Sequence, residues 1–259
     1  MHEMKKYSLL ILLPAMLLLS CRKSNNAPSS LPASFTGCHV STITQTFPGS
    51  TSTITSFTYN SDGSVATIKS QSPPDNDIFV KTFIYKPGII IINTTDNSLP
   101  YSRDSLLTDA QNRVTYINHY DYNGSPQPNL IYDIFQYDTS GNIVTASVTY
   151  HNYSQISSAV YEWKNGDLQW NTSGSDFYSY NYDTTNYNTA SVTTDVGNFL
   201  NYGRGILANV HWLSQSYLDS QLVYTYTNST DSAGKITSIR QADATNTYFT
   251  TTNITYDCR

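Results

Sequence analysis

The stretch that decides the fold is residues 135–150, FQYDTSGNIVTASVTY. Phe135 and Tyr137 alternate with polar residues, turn-forming residues surround Gly141, and a second alternating run begins near Val144. Alternation with a period of two is typical of a strand that buries one face, and a cluster of Asp, Ser, Gly and Asn between two such runs is typical of a hairpin turn. The stretch therefore predicts one complete β-hairpin.

Related copies of this hairpin recur along the chain. Each has an aromatic or apolar pair, then a turn with Gly or Asn, then β-branched residues, and further copies begin at Phe57, Phe83, Ser105, Tyr161 and Tyr224. A spacing of about 20 to 30 residues between turns leaves room for one hairpin and its return connection. The repeats predict an all-β fold, a large antiparallel meander of repeated β-hairpins that forms a curved sheet or a barrel-like shell.

The copy with Tyr137-Asp138, Gly141 and Asn142 resembles the YD repeats of Rhs-type and teneurin-type β-shells. Residues 37–258 resemble a family of uncharacterised outer-membrane lipoproteins of Gram-negative bacteria. That resemblance implies YD-repeat-like hairpins in a porin-like antiparallel β fold. The copies are too few for a large shell around a toxin, so we do not expect a toxin-encapsulating role.

One stretch, residues 195–219, does not follow the repeated hairpin pattern. Its apolar residues have mixed spacing, and Gly203 and Gly205 interrupt them. We expect a short helical or loop insertion here, with a helical turn over residues 206–214. It would either plug an open end of the sheet or form a lip over a binding groove.

The amino terminus resembles a bacterial lipoprotein signal peptide. Lys5 and Lys6 precede an apolar run, residues 9–19, that is too short to span a bilayer, and Cys21 follows it. The resemblance implies that residues 1–20 are removed and that Cys21 carries lipid, including a palmitate-type chain, on its thiol and amino group. The alternative is an ordinary secretory signal that happens to contain a cysteine.

The domain organisation follows from this signal. Residues 21–34 are rich in Ser, Asn and Pro, which predicts a disordered tether, and residues 35–259 form a single hairpin-repeat domain. Arg22 stands where inner-membrane lipoproteins commonly have aspartate. We therefore expect a lipid anchor in the outer membrane, and the lack of an acidic run after Cys21 favours the periplasmic face over the cell surface.

Composition excludes one class of partner. The chain has 14 Lys and Arg against 19 Asp and Glu, a formal net charge of −5, and no basic cluster. A phosphate-binding face needs such a cluster, so nucleic acid is not expected as a partner. The expected partners are the membrane, through the lipid anchor, and a glycan or an envelope protein, with the chain as a monomer.

No pattern of residues predicts an enzyme. After the signal peptide Glu162 is the single glutamate, so a glutamate pair cannot form, and most aspartates flank predicted turns. His39, His119 and the other histidines share no metal-ligand spacing. We expect no metal, no cofactor and no catalysis; the alternative is an aspartate-dependent hydrolase that acts on envelope or dietary polysaccharide.

Aromatic side chains are the remaining chemical feature. The chain has 22 tyrosines and 3 tryptophans. Planar rings on the surface of a sheet can stack on sugars. Trp163, Trp170 and Tyr178 are the candidate ligand-binding residues. Equally, such rings can be cross-strand packing within the sheet. The sequence therefore predicts a lipid-anchored, non-enzymatic binding or structural protein of the cell envelope.

Two cysteines remain once Cys21 carries lipid. Cys38 precedes the first predicted strand and Cys258 ends the last. An even pair of cysteines in an oxidising compartment favours a disulfide. We predict a Cys38–Cys258 bond that joins the first strand to the last, with two separate thiols as the alternative.

Overall fold

Sixteen β-strands make up the part of the chain that the computed structural model describes, residues 38–73, 77–122, 129–150, 156–187 and 211–258. The strands are β1 (Cys38–Thr46), β2 (Thr53–Tyr59), β3 (Val65–Ser72), β4 (Asp77–Lys86), β5 (Ile89–Asp96), β6 (Leu99–Thr108), β7 (Val114–Asp121), β8 (Asn129–Tyr137), β9 (Ile143–Tyr150), β10 (Ile156–Lys164), β11 (Asp167–Ser173), β12 (Asp176–Tyr187), β13 (His211–Leu218), β14 (Gln221–Thr230), β15 (Ile236–Asp243) and β16 (Phe249–Cys258).

The strands form one closed antiparallel barrel. Each strand pairs with its neighbours in sequence, and β1 also pairs with β16, in register from Cys38 opposite Cys258 to Thr46 opposite Thr251. This confirms the predicted all-β meander of hairpins. Of the two expected shapes, the structure has the barrel, because β1 and β16 complete each other's hydrogen-bonding edges.

The disulfide predicted between Cys38 and Cys258 is confirmed. It joins the first residue of β1 to the last residue of β16, with the two Cα atoms 3.9 Å apart. The ammonium of Lys235 lies 3.5 Å from each sulfur. We call this end of the barrel the disulfide end; the turn between β2 and β3, and every second turn after it, lies here.

Turns at the disulfide end owe their shape to aspartate and to positive φ. In the 138–142 turn the Asp138 amide donates to the Asn142 carbonyl, the Asp138 carboxylate accepts from the Asn142 amide, and Gly141 has φ of 89°. Asp109 makes the same two bonds with Arg113, and there Asn112 takes the positive-φ position with φ of 60°. The turn aspartates therefore have structural roles, as the sequence predicts.

A repeated aromatic hydrogen bond links each of six even-numbered strands to the strand before it. A ring near the end of the even strand donates to the backbone carbonyl of a buried aliphatic residue at the start of the preceding strand. The pairs are Tyr59 to Val40 (2.7 Å), Tyr85 to Val65 (3.1 Å), Tyr137 to Val114 (2.6 Å), Trp163 to Ile143 (2.7 Å), Tyr182 to Leu168 (2.7 Å) and Tyr256 to Ile236 (2.8 Å). These bonds explain why an aromatic residue precedes the turn and an aliphatic one follows it in most repeats.

The barrel interior is apolar at the disulfide end. Side chains such as Ile43, Ile92 and Leu106 have no exposed surface. Burial of this kind means that the interior is filled with packed side chains there. The buried cluster consists of Val40, Ile43, Phe57, Val65, Ile68, Phe83, Ile90, Ile92, Leu106, Val114, Ile117, Ile236, Ile239 and Ile254.

The predicted insertion at residues 195–219 is only partly within the described structure. Residues 195–210 lie outside it, whereas His211–Leu218 form β13 and pair with β12 and β14. The helical turn expected over 206–214 is therefore wrong for its last four residues. Their spacing looks irregular because a bulge in β13 shifts the register between Asn181 and Tyr182 of β12.

Several predicted features fall outside the described residues. These are the signal peptide at 1–20, Cys21, the tether at 21–34 and the first residues of the domain, 35–37. In the described ranges, no helix has the length and apolarity needed to cross a membrane.

Candidate functional site

A group of polar side chains lines the barrel interior beyond the apolar core, toward the end opposite the disulfide. It lies on β4 to β8, where the inward positions change from aliphatic to polar along each strand; on β5, Ile90 and Ile92 are followed by Thr94 and Asp96. We call this group the inner polar zone. Its members are Lys81, Thr94, Asp96, Ser102, Asp104, His119, Asp121 and Asp133.

Strand register brings these residues onto one face. Cross-strand partners share a face of the sheet, and residues two apart on a strand do so as well. Asp104 lies opposite His119, and its other partner is the fully buried Ile92. Lys81 lies opposite Thr94, which in turn lies opposite Ser102. Thr94, Ser102 and Asp104 are all buried, which confirms that the zone faces inward.

His119 and Asp104 form the central contact of the zone. The Nδ1 atom of His119 is hydrogen bonded to a carboxylate oxygen of Asp104. This bond, together with the negative charges of Asp104, Asp121 and Asp133, raises the pKa of His119. The His119 side chain is 34% exposed, against 8% for the Asp104 side chain, so solvent reaches the histidine and not the carboxylate.

Burial shifts two further groups of the zone, Asp133 and Lys81, toward their neutral forms. It raises the pKa of Asp133, and the negative charge of Asp104 adds to that effect. It lowers the pKa of Lys81, while Asp104 acts in the opposite direction. The two carboxyl groups therefore lie in different surroundings: Asp104 is hydrogen bonded to His119, whereas burial raises the pKa of Asp133. Acid–base sites of enzymes have carboxyl groups in unlike surroundings of this kind.

Two oxygen atoms of the zone are buried and have no hydrogen-bond partner. They are Oγ1 of Thr94, whose residue is 4% exposed, and Oδ1 of Asp96, two residues further along β5. Buried polar atoms in proteins are almost always hydrogen bonded, because leaving one unpaired costs about 1–3 kcal/mol. These oxygens indicate a place where a ligand can bind.

The three aromatic residues predicted to bind a ligand do not share a face. Trp163 pairs with the buried Leu168 and Tyr178 pairs with the buried Asn171, so both face inward. Trp170 instead pairs with the exposed Glu162 and faces outward, where its ring lies 5.6 Å from that of Phe177. The structure brings Trp170 and Phe177 together and separates Trp163 from Trp170. The three predicted residues therefore do not form one continuous surface, and their role in ligand binding stays a prediction.

A cavity lies at the disulfide end, between β1 and the turn that joins β2 to β3. Its volume is about 630 Å³, within the usual size of small-molecule sites. The ring of His39 lies 4.6 Å from that of Tyr59, and Nδ1 of His39 is buried without a partner. The His39 and Tyr59 rings pack against each other, so less aromatic surface is left for a ligand to stack on. The lining residues are His39, Ser41, Phe57, Thr58, Tyr59, Asn60, Ser61, Gly63 and Asp257.

The described residues do not form a metal site. No group of three or more His, Cys, Asp or Glu side chains within them is placed to hold an ion.

Solved structures share the barrel just described. A crystal structure of a porin-like protein from Bacteroides uniformis superposes with a TM-score of 0.62 and 17% sequence identity, over 84% of this chain and 98% of that one. The chain has the fold of Bacteroides porin-like proteins. A porin-like protein from Bacteroides vulgatus gives a TM-score of 0.59 and 12% identity over the same shares. No protein-family model and no curated protein sequence matches the chain.

These comparisons confirm the porin-like antiparallel fold that the sequence resemblance implies. At 17% and 12% sequence identity they show the fold and no shared function. The lipoprotein part of the resemblance stays a prediction. Sequence reasoning did not find the inner polar zone. Asp104, His119 and Asp133 lie on three strands and share no sequence motif. The local signal that could have found them is a polar residue at an inward position of a strand whose other inward residues are aliphatic.

Proposed function

We propose that this chain is a lipid-anchored, non-enzymatic binding protein of the bacterial outer membrane, and that it binds a hydroxyl-rich ligand such as a glycan at the inner polar zone. The observation that carries the proposal is the change in the barrel interior from a packed aliphatic core to a cluster of carboxylate, hydroxyl, ammonium and imidazole groups. Pockets with a few convergent polar groups beside apolar walls are typical of small-molecule sites. Carboxylates and hydroxyls are suitable partners for sugar hydroxyls.

The exterior of the barrel supports attachment through a lipid rather than through the strands. A membrane-spanning barrel needs an apolar band on its outer face. Here exposed charged residues lie within strands and point outward: Lys69 on β3, Arg103 on β6 and Glu162 on β10. An anchor at Cys21 would hold such a barrel beside the membrane, on the periplasmic face.

Replacement of Cys21 by serine tests the anchor. We expect the Cys21→Ser chain to take up no radiolabelled fatty acid and to remain an unprocessed precursor that keeps residues 1–20. The barrel should still form, because it begins at Cys38. Labelled, detergent-soluble Cys21→Ser protein would rule out lipidation at this residue.

Glycan binding is tested with a soluble chain that lacks the lipidated cysteine, residues 22–259, on a glycan array followed by calorimetry with the best hit. Asp104→Asn should weaken binding about tenfold or more, since it removes the negative charge that holds His119, the member of the pair that solvent reaches. Arg103→Gln is the matched control, because Arg103 is the neighbour of Asp104 on the outer face. A blank array, or equal losses in the two variants, would contradict the proposal.

A second candidate function, an aspartate-dependent polysaccharide hydrolase, is favoured by one observation. Burial raises the pKa of Asp133, whereas Asp104 is hydrogen bonded to His119, and two carboxyl groups in such different surroundings are typical of glycoside hydrolysis. Release of reducing ends from array-positive polysaccharides, abolished by Asp133→Asn, would establish this activity. If wild type and Asp133→Asn both bind the polysaccharide and neither releases reducing ends, the hydrolase is rejected and the binding function stands.

A further inference from the structure

We infer that the inner polar zone binds the ammonium group of an amine-bearing ligand, through Thr94 and Asp96 of β5. The inference rests on the proposed function and deepens it, since it states which chemical group the ligand must carry.

The two buried oxygens without partners define the contact. Thr94 faces inward, because it follows the fully buried Ile92 at the alternating position and lies opposite the buried Ser102. Asp96 is the next inward residue of the same strand, and residues two apart lie about 7 Å apart along a strand. Oγ1 of Thr94 and Oδ1 of Asp96 are both able to accept a hydrogen bond. An ammonium group has three donors and no acceptor, which suits a site whose two unpartnered atoms can both act as acceptors.

The charge of the zone favours a cation over a neutral hydroxyl. Four carboxyl groups, those of Asp96, Asp104, Asp121 and Asp133, share it with two basic residues, Lys81 and His119. Asp104 interacts with both basic groups. Three of the carboxylates also raise the pKa of His119, so they favour a positive charge in the zone. They attract a positively charged ligand group, and Asp104 opposes the burial cost that lowers the pKa of Lys81.

An aromatic pair lies next to Asp96 in the sheet. Phe79 of β4 is opposite Asp96 in register, and its ring meets that of Tyr101 edge to face with centroids 5.4 Å apart. An ammonium group within about 6 Å of an aromatic ring face is attracted to it. This position lies toward the end of the barrel opposite the disulfide, where β5 ends at Asp96 and β7 ends at Asp121.

The experiment compares two sugars that differ in one group. Methyl 6-amino-6-deoxyglucoside carries a primary amine where methyl glucoside has a hydroxyl. Binding of each to the soluble chain, residues 22–259, is measured by NMR titration at pH 7.5. We expect the amino sugar to bind at least tenfold more tightly, with an affinity that falls as salt concentration rises. Equal affinities would overturn the inference and leave the proposed glycan binding intact if the array is positive.

Variants locate the contact. Thr94→Val removes the hydroxyl at nearly constant volume and should weaken amine binding several-fold, while Asp96→Asn should weaken it about tenfold or more. Thr95→Val is the matched control: Thr95 is the neighbouring residue of β5 and alternates to the outer face, so binding should not change. If the amino sugar binds in the NMR titration while the glycan array shows no hit, the ammonium site is supported and the proposed glycan binding is rejected. Loss of binding in Thr95→Val as large as in Thr94→Val, or no binding of the amino sugar at all, would overturn the inference.

Discussion

The indole nitrogen of Trp163 donates a 2.7 Å hydrogen bond to the backbone carbonyl of Ile143, one strand earlier in the barrel. Ile143 is 2% exposed and starts β9, and Trp163 lies near the end of β10. Tyrosines make the same bond at five other strand pairs. Trp163 therefore belongs to the structural repeat that ties neighbouring hairpins together.

Replacement of Trp163 by phenylalanine should destabilise the barrel. The variant keeps an aromatic ring and loses the donor to Ile143, so we expect the free energy of unfolding to fall by about 1–3 kcal/mol. Trp170→Phe is the control, since Trp170 lies on the outer face against Phe177, and should change the stability by less than about 0.5 kcal/mol. Urea titrations followed by circular dichroism measure both; equal effects would contradict the structural role of Trp163.

Turn glycines at positive φ give a second prediction. Gly141 has φ of 89°, a conformation that costs an L-residue with a Cβ about 1–2 kcal/mol, so Gly141→Ala should lower the free energy of unfolding by about that amount. Gly141→Asn should cost less, because Asn112 occupies the equivalent position of another turn with φ of 60°. Thermal unfolding of the two variants provides the comparison, and an alanine variant as stable as wild type would show that the turn relaxes.

Loss of the Cys38–Cys258 bond should destabilise the barrel by up to about 5 kcal/mol in the chain-entropy model, because it closes a loop with a sequence separation of 220. The double variant Cys38→Ser/Cys258→Ser, and wild type after reduction, should both unfold at lower urea concentration than the oxidised protein. Cys21→Ser is the matched control and should match oxidised wild type. Two free thiols in the unfolded, unreduced Cys21→Ser chain would mean that the bond does not form.

The His119–Asp104 contact predicts a pH dependence of stability. Since the folded state raises the pKa of His119, its stabilising contribution is complete below the unfolded value of about 6.5 and is lost as pH rises through the folded-state pKa. The difference in unfolding free energy between wild type and His119→Gln should therefore be larger at pH 6 than at pH 9. NMR titration of the imidazole gives the folded-state pKa directly. A difference that does not vary between these pH values would show that His119 and Asp104 do not interact.

Much of the fold follows from local sequence. Turn chemistry and the two-residue period act over a few neighbouring residues, so the hairpins, the aspartate turns and the replacement of glycine by Asn112 are predictable without tertiary information. The disulfide also follows, because the two cysteines flank the first and last strands.

The candidate site does not follow from sequence, because strand register decides it. Trp163 and Trp170 are separated by a bulge: Trp163 pairs with Leu168 and Glu162 with Trp170, which leaves Gln169 as the extra residue. Without that extra residue Trp170 would alternate with Leu168 onto the inner face.

The sequence by itself determined the hairpins of this protein, the kind of turn that joins them and the cysteine pair, since each depends on neighbouring residues or on their order along the chain. Only the tertiary structure decided that β1 meets β16 to close a barrel, and that Asp104, His119 and Asp133 from three strands converge inside it. The physical reason is that a shift of one residue in pairing turns every following side chain to the other face, and that shift is set by the packing of the whole barrel.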